Sequence, residues 1–326
     1  VTAPDVTIAL VGAGAFSEQH LAAISAADYV TVVAVVDRDL PRAQAMASRA
    51  GGAKAFEDLE SALAEVPFDA VDICTPNFTH APLALQALSA GKHVLVEKPP
   101  ALSIVDFDRM VDTANRKDSV LQVGLVMRHM LWAAELRSQI RSAGPGPFVL
   151  RLGVQAGVSW PGGRFGWQRD SLLSGGHVVH NGMHLIDLAS WFLDSSPISA
   201  TLRAYGPSWP GDDHWTLTTL FEDGSLAVLE YSYTLPTPDG LVVDCLALGS
   251  GHAVVFASDS GTLYYGAAGI QPMFNLRGES MTRQLECFLA RVRGAGYSDA
   301  GHLAEVRTAL KLALDAQSSL QAASVT

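Results

Sequence analysis

Lys98, set between Glu97 and Pro99, is the residue of this chain best suited to moving a proton. A lysine ammonium is a compact charge whose pKa falls readily on burial, so it can stabilise an alkoxide or pass a proton at a reacting oxygen. Pro99 fixes its own φ and turns the residue before it away from helical geometry, which limits where Lys98 can point. Far upstream, Gly12-Ala13-Gly14 follows the apolar run Val6–Val11 and precedes a stretch of helical composition. Strand, glycine turn and helix in that order suit a dinucleotide. Gly12 permits the tight bend, Gly14 lets the backbone approach a pyrophosphate, and amides at the helix start meet its charge. Ala15 and Phe16 complete the turn, and Ser17 stands at the third glycine position, small enough for close packing and able to cap the helix.

A second β-branched run, Val30–Val36, ends in Asp37, near the spacing at which an acidic residue takes the adenosine ribose hydroxyls. Asp37 repels a 2′-phosphate and favours NAD. Arg38 beside it is able to stack on adenine or to accept that phosphate, which leaves NADP open. The alternation continues with helices predicted over 40–50, 80–90 and 105–117, and strands over 70–74, 93–96 and 120–126. Helices between apolar strands imply a parallel sheet. Thr75, Pro76 and Asn77 follow a strand at its carboxyl end, where open α/β sheets place ligands, and His80 stands close to a helix start. These four, with Glu97 and Lys98, complete the candidate cofactor residues.

The elements that must hold these groups are bounded by composition. At 326 residues the chain is long for one core and suits two domains, expected at 1–124 and 125–326. Hydrophobic residues at 48% and charged residues at 17% fit a globular protein and exclude wholesale disorder. The net charge of -11 and the absence of a basic run argue against nucleic acid and anionic membrane as partners. Cys74, Cys245 and Cys287 are far apart with no C-x-x-C spacing, no metal site is expected, and neither a leader nor a membrane span is read. A cytoplasmic protein is expected.

Taken in order, Gly12-Ala13-Gly14, Asp37, Cys74-Thr75-Pro76-Asn77, Glu97-Lys98-Pro99, Arg128, Trp167-Gln168-Arg169-Asp170, the block from Gly175-Gly176 to Asp187, and a helical tail over 303–320 resemble the Gfo/Idh/MocA oxidoreductase family. The resemblance covers nearly the whole chain. It implies an α/β protein: an N-terminal Rossmann domain, then an α/β domain with a large, mostly antiparallel open sheet that often forms the oligomer interface. It also implies a sugar, inositol or related polyol as substrate. Strand-like segments at 148–155, 215–221, 225–233, 242–248 and 252–257 accord with this, and Glu222-Asp223-Gly224 reads as a hairpin turn. Helices near 178–192 and 282–293 are expected to cover one face of that sheet, leaving the other for water or a partner subunit in a homodimer or homotetramer.

In that family the second-domain block commonly carries an aspartate and, four residues later, a histidine; here His180 and His184 stand at those places. On one helix this spacing puts both rings on one face, expected to meet the Lys98 strand end across a cleft between domains. His184 is then the candidate base, with Lys98 polarising the same oxygen, while His180 orients the substrate, shares the proton or replaces the carboxylate, or Asn181 does the orienting. His177, His180 and His184 also share helical spacing suited to a metal, without an H-E-x-x-H pattern. Asp187 is expected to pair structurally near the helix middle. Trp160, Arg164, Trp167 and Arg169, in and just after a glycine-rich segment, suit a substrate loop, with indoles for sugar C–H faces and guanidinium groups for hydroxyls. Arg128 either serves the substrate or ties a hinge. The expected function is NAD(P)-dependent hydride transfer at a ring hydroxyl or ketone. A glycosidase with tightly held NAD, and a non-catalytic dinucleotide or ligand sensor, are the alternatives.

Overall fold

The computed structural model describes residues 5–157, 166–205, 214–235, 241–249, 252–257, 262–265, 269–272, 279–295 and 303–323. The chain divides into two compact units, 1–126 with 279–303, and 127–278 with 304–326.

The first unit alternates β1 (Val6–Val11), α1 (Ser17–Ala26), β2 (Val30–Val36), α2 (Leu40–Arg49), β3 (Lys54–Phe56), α3 (Leu59–Glu65), β4 (Ala70–Ile73), α4 (Asn77–Ser89), β5 (His93–Glu97), α5 (Ile104–Arg116) and β6 (Leu121–Gly124). The strands form one sheet in the order β3-β2-β1-β4-β5-β6, every neighbouring pair parallel. Helices on both faces explain the continuous apolar runs: every residue of β4 and of β6 is buried. Helix starts follow local chemistry, with Asp58 accepting from Ser61 N at 2.8 Å and Ser103 from Asp106 N at 3.1 Å. The strand order reverses between β1 and β4, and the turn carrying Gly12 and the loop carrying Thr75 leave those two strands there.

The second unit begins with a 3₁₀ turn (Val126–His129), followed by α6 (Leu131–Ser142), β7 (Val149–Gly157), α7 (Ser171–Ser174), a π-helical turn (Val178–Gly182), α8 (Met183–Leu193), β8 (Pro197–Tyr205), β9 (His214–Phe221), β10 (Leu226–Leu235), β11 (Leu241–Gly249), β12 (His252–Ala257), β13 (Thr262–Tyr265) and β14 (Gly269–Pro272). Its sheet has eight strands in the order β14-β13-β12-β11-β7-β10-β9-β8. Only the β7–β10 pair is parallel among them. Burial alternates along β9 and β11, as it must where one face packs and the other does not. On the packed face, Trp132 of α6 stacks on Phe256 of β12 at 4.8 Å and meets Phe192 of α8 edge-on at 6.4 Å. The expected hairpin forms at Gly224, whose φ is +86°, with Phe221 N donating to Ser225 O at 2.9 Å.

Two expectations change. The helix predicted near 282–293 does not cover the second sheet. As α9 (Ser280–Val292) it joins the first unit, where Leu285, Phe288 and Leu289 enter the core with Leu21 and Ile24 of α1. A division at residue 124 therefore misses a segment that returns to the first unit. The tail, α10 (Leu303–Ala323), packs in the second unit, where Gln317 Oε1 accepts from Val178 N at 3.0 Å.

Candidate functional site

The candidate groups fall into two sets, one in each unit. In the first, Gly12 has φ +101°, and a Cβ there would meet the Cys74 carbonyl oxygen at 2.6 Å, so only glycine fits the turn beside β4. Gly14 is exposed, with no atom within 4 Å of where its Cβ would stand. Asp37, at the end of β2, reaches back into the turn. Its Oδ2 accepts from Ala13 N at 2.7 Å and its Oδ1 from Asp39 N at 2.9 Å. Arg38 is exposed beside it. Open space over a glycine turn, with a fixed carboxylate at the neighbouring strand end, fits the pyrophosphate and ribose of a dinucleotide. Ser17 does not cap α1; it is buried, and its hydroxyl lies 3.5 Å from Cys74 O, filling the close approach of helix to strand.

Lys98 follows directly on β5 and is half-buried. Burial lowers its ammonium to about 8, against the opposing attraction of the Glu97 carboxylate. Glu97 is buried, and its Oε2 accepts from Lys98 N at 3.2 Å. Thr75 and Pro76 are half-buried in the loop after β4, and Asn77 is buried at the start of α4. His80 departs from its expected place in the cofactor set. Its ring is buried with Nδ1 2.7 Å from Pro99 O and Nε2 2.7 Å from Thr75 O. A neutral ring has one N–H, so it donates to one of these carbonyls and lies against the other, between the Thr75 loop and the Lys98-Pro99 loop. Burial pushes its pKa down despite those carbonyls.

In the second unit, the expected helix through the histidine block is two structures. The π-helical turn carries His180 and Asn181, and His184 sits in the first turn of α8. His180 is buried, with the Trp167 ring edge-on to it at 5.5 Å, while His184 is half-buried. Asn181 Nδ2 donates to the Tyr233 hydroxyl. His177 is buried away from solvent, stacked on Tyr233 at 4.6 Å and edge-on to Tyr231 at 4.9 Å. Among the described residues, His177, His180 and His184 do not gather into a set of ligand atoms within 4.8 Å of one another, so the metal spacing read from sequence does not become a site. Arg169 is exposed, and Trp160 and Arg164 lie outside the described residues.

Arg128, expected to serve the substrate or to tie a hinge, is engaged in a buried ion pair. Its Nε and Nη2 donate to Asp187 at 2.7 and 2.6 Å, and its Nη1 lies 2.8 Å from Glu305 Oε2 of α10. All three nitrogens are engaged, and the guanidinium is buried over the Trp191 ring. Asp187 pairs structurally, as its position implied. Sequence reasoning missed Tyr233, Gln317, Glu305 and the buried His20 and Asp72. Only His20, a polar residue on the apolar face of α1, gave a local signal.

A model described as an oxidoreductase family with an NAD-binding Rossmann fold matches residues 6–125, and a GFO/IDH/MocA C-terminal domain model matches residues 149–251. The chain is 32% identical over 200 residues to the D-glucoside 3-dehydrogenase of Escherichia coli, covering 59% of this chain and 55% of that protein. It is 30% identical over 203 residues to the inositol 2-dehydrogenase of Corynebacterium glutamicum, covering 60% and 56%. The chain thus spans about half the length of these curated relatives. Its fold matches an oxidoreductase from Agrobacterium radiobacter solved with NAD+, L-tartaric acid and magnesium, at TM-score 0.82 and 21% identity, over 97% of this chain and 96% of that one.

Asp187→Asn leaves the Arg128 charge buried with only the partly exposed Glu305 to answer it. The loss of stability should be about 3–5 kcal/mol, read as a lowered urea midpoint. The double change Arg128→Met with Asp187→Leu, which removes both charges, should cost far less.

Proposed function

We propose that the chain, which belongs to the GFO/IDH/MocA oxidoreductase family, is a nicotinamide-dependent dehydrogenase acting on a ring hydroxyl, or the matching ketone, of a sugar or polyol. The observation that carries this reading is Lys98, brought by burial to about 8 directly after a strand of a dinucleotide-binding sheet. Gly12, Ala13 and Gly14 would hold the pyrophosphate and Asp37 the adenosine ribose, favouring NAD. When bound, the nicotinamide supplies the hydride acceptor or donor. Near pH 8, Lys98 gives or takes a proton with little driving force either way, which suits it to the oxygen whose carbon gains or loses hydride. His184, half-buried in the first turn of α8, is the second proton-handling group in this reading. His180 stands where the family commonly has aspartate and, with the Trp167 ring edge-on to it, orients the substrate in this reading. The names of the relatives, a glucoside and an inositol dehydrogenase, support a polyhydroxylated ring as substrate.

The same reading takes the protein to be a cytoplasmic homo-oligomer. Its three cysteines are buried and none is in a disulfide, in keeping with a reducing compartment. None of the described helices is long and apolar enough to cross a membrane. On the unpacked face of the second sheet, Val149 pairs across β7–β10 and β7–β11 with Leu226 and Leu248, and Leu226 in turn with Leu220. Val149, Leu220 and Leu248 are exposed, an apolar band that a second copy would cover.

Purified protein with NAD and a panel of sugars, inositols and sugar acids should produce the absorbance of reduced nicotinamide, with NADP a poorer substitute. Lys98→Met should lower kcat/KM by about 10²–10⁴-fold while dinucleotide binding persists. Oxidation should quicken as pH rises through about 8 and ketone reduction slow over the same range, because the proton is accepted in one direction and donated in the other. A Lys98→Met variant of parental activity would sink the assignment, and dinucleotide binding without turnover on the whole panel would sink the dehydrogenase. Light scattering should give more than one copy per particle, reduced to one by Val149→Arg with Leu248→Glu.

A further inference from the structure

α1 carries His20 into the interior of the first unit, where the residue is 2% exposed beside Asp72 at 1% and Glu97 at 5%. Its Nδ1 lies 2.9 Å from Asp72 Oδ2 and its Nε2 lies 3.3 Å from Glu97 Oε1. The first contact is a hydrogen bond. The second is close enough for charge attraction without hydrogen-bond alignment. The Phe16 ring covers the imidazole at 5.5 Å, and Cys74 Sγ lies 3.7 Å from Asp72 Oδ1. His20, Asp72 and Cys74 have the composition of a metal site, with ligand atoms within 4.8 Å of one another. The 2.9 Å between nitrogen and carboxylate oxygen instead suits a shared proton, since ligands of a tetrahedral ion with bonds of about 2.0–2.2 Å stand farther apart.

Burial alone would drive the His20 ring neutral, but the Asp72 carboxylate, with the Cys74 sulfur beside it, outweighs burial and holds the proton well above the ordinary histidine range. Cys74 adds no charge, because burial and the same carboxylate push its thiol up. Across the loop, His80 from α4 has its ring set between the Pro99 and Thr75 carbonyls, and burial lowers its pKa, so it adds no positive charge beside Lys98. Of these groups Glu97 acts on Lys98 directly, and His20 and Asp72 stand behind Glu97. Glu97 draws the Lys98 proton tighter, and a positive ring against Glu97 offsets that attraction.

We infer that His20 is a positioning residue for Lys98: bridging Asp72 and Glu97, it fixes the Glu97 carboxylate and cancels part of the negative charge that Lys98 meets. No bond to substrate or cofactor is required of it. The inference rests on Lys98 as the proton-handling group, and the test separates the two. The chain has five lysines, Lys54, Lys92, Lys98, Lys117 and Lys311, so a sample with ¹³Cε-labelled lysine gives five signals, with Lys98 assigned by its loss in Lys98→Met. In the parent, the Lys98 signal should titrate near pH 8.

His20→Gln removes the positive charge and should make Lys98 hold its proton about tenfold more tightly. Glu97→Gln, which keeps an acceptor for Lys98 N–H, should move the titration the opposite way. A role in packing alone predicts no such opposed pair. A Lys98 titration in folded His20→Gln that superimposes on the parent's, or one that moves in the same direction in both variants, overturns the inference. Where His20→Gln does not fold, Glu97→Gln decides, and an unmoved titration there overturns it equally. The pH profile of kcat/KM should shift with the titration in each active variant. Activity retained in Lys98→Met would overturn the catalytic reading of Lys98 alone, since the titration still reports on His20.

Discussion

The His20 ring set between Asp72 and Glu97 joins α1, β4 and β5, the elements that meet where the strand order of the first sheet reverses. A carboxylate withdrawn from water costs several kcal/mol, and both Asp72 and Glu97 are buried. One imidazole supplies a countercharge to both, so helix and strands are held in the arrangement that also places Gly12 against the Cys74 carbonyl. The Thr75 loop and the Lys98 loop start from β4 and β5, and the glycine turn leaves β1 beside β4. Little tolerance is left: a Cβ at Gly124 of β6 would come within 2.9 Å of the Glu97 carboxyl carbon. The position of Glu97 is therefore fixed from α1 on one side and from β6 on the other, and Lys98 inherits that fixity through the peptide it shares with Glu97.

The second unit solves the same problem with a different pair. Arg128, Asp187 and Glu305 join the 3₁₀ turn, α8 and α10 through one buried guanidinium. The fork geometry of arginine matters, because two parallel bonds to Asp187 leave a third nitrogen for Glu305. Nearer its other end, α10 places Gln317 against Gly176, where the cradle is too tight for any side chain, and accepts from Val178 N. The histidine block is thus gripped on both sides by a helix that follows it by more than a hundred residues. Buried ion pairs of this kind give register more readily than net stability.

What could be read from the sequence was local. The Gly12 turn, Asp37 at a strand end and the alternation of apolar runs with helices each sit within a few residues, and the parallel sheet followed from them. The edge strand β8 was missed because most of its residues are exposed and no alternation marks it. The helix at Ser280–Val292 was recognised as a helix and assigned to the wrong sheet, since an apolar stripe says that a face is buried and not against what. Arg128 reads as either a substrate residue or a structural tie because its partner stands 59 positions away. Asp72, 52 positions from His20, was invisible for the same reason, and His20 showed only as a polar residue on an apolar helix face. Charge pairs formed across a fold carry no local pattern, so a sequence reading assigns each member separately and tends to favour function for residues that are in fact neutralising each other.

The π-helical turn at Val178–Gly182 shows where spacing misleads within a single element. On a regular α-helix, residues four apart lie one above the other, which made His180 and His184 a matched pair and His177 a third member. A wider turn breaks that stacking between the positions. Its consequence is a division of surroundings: His177 is enclosed by Tyr231 and Tyr233, His180 is buried against Trp167, and His184 alone remains half-exposed at the start of α8. Such turns occur at functional sites because they set one side chain apart from its helical neighbours. Three histidines of one chemical type are thereby given three environments. Burial and ring contacts, and not residue type or spacing, separate the one that meets solvent from the two packed among aromatic rings.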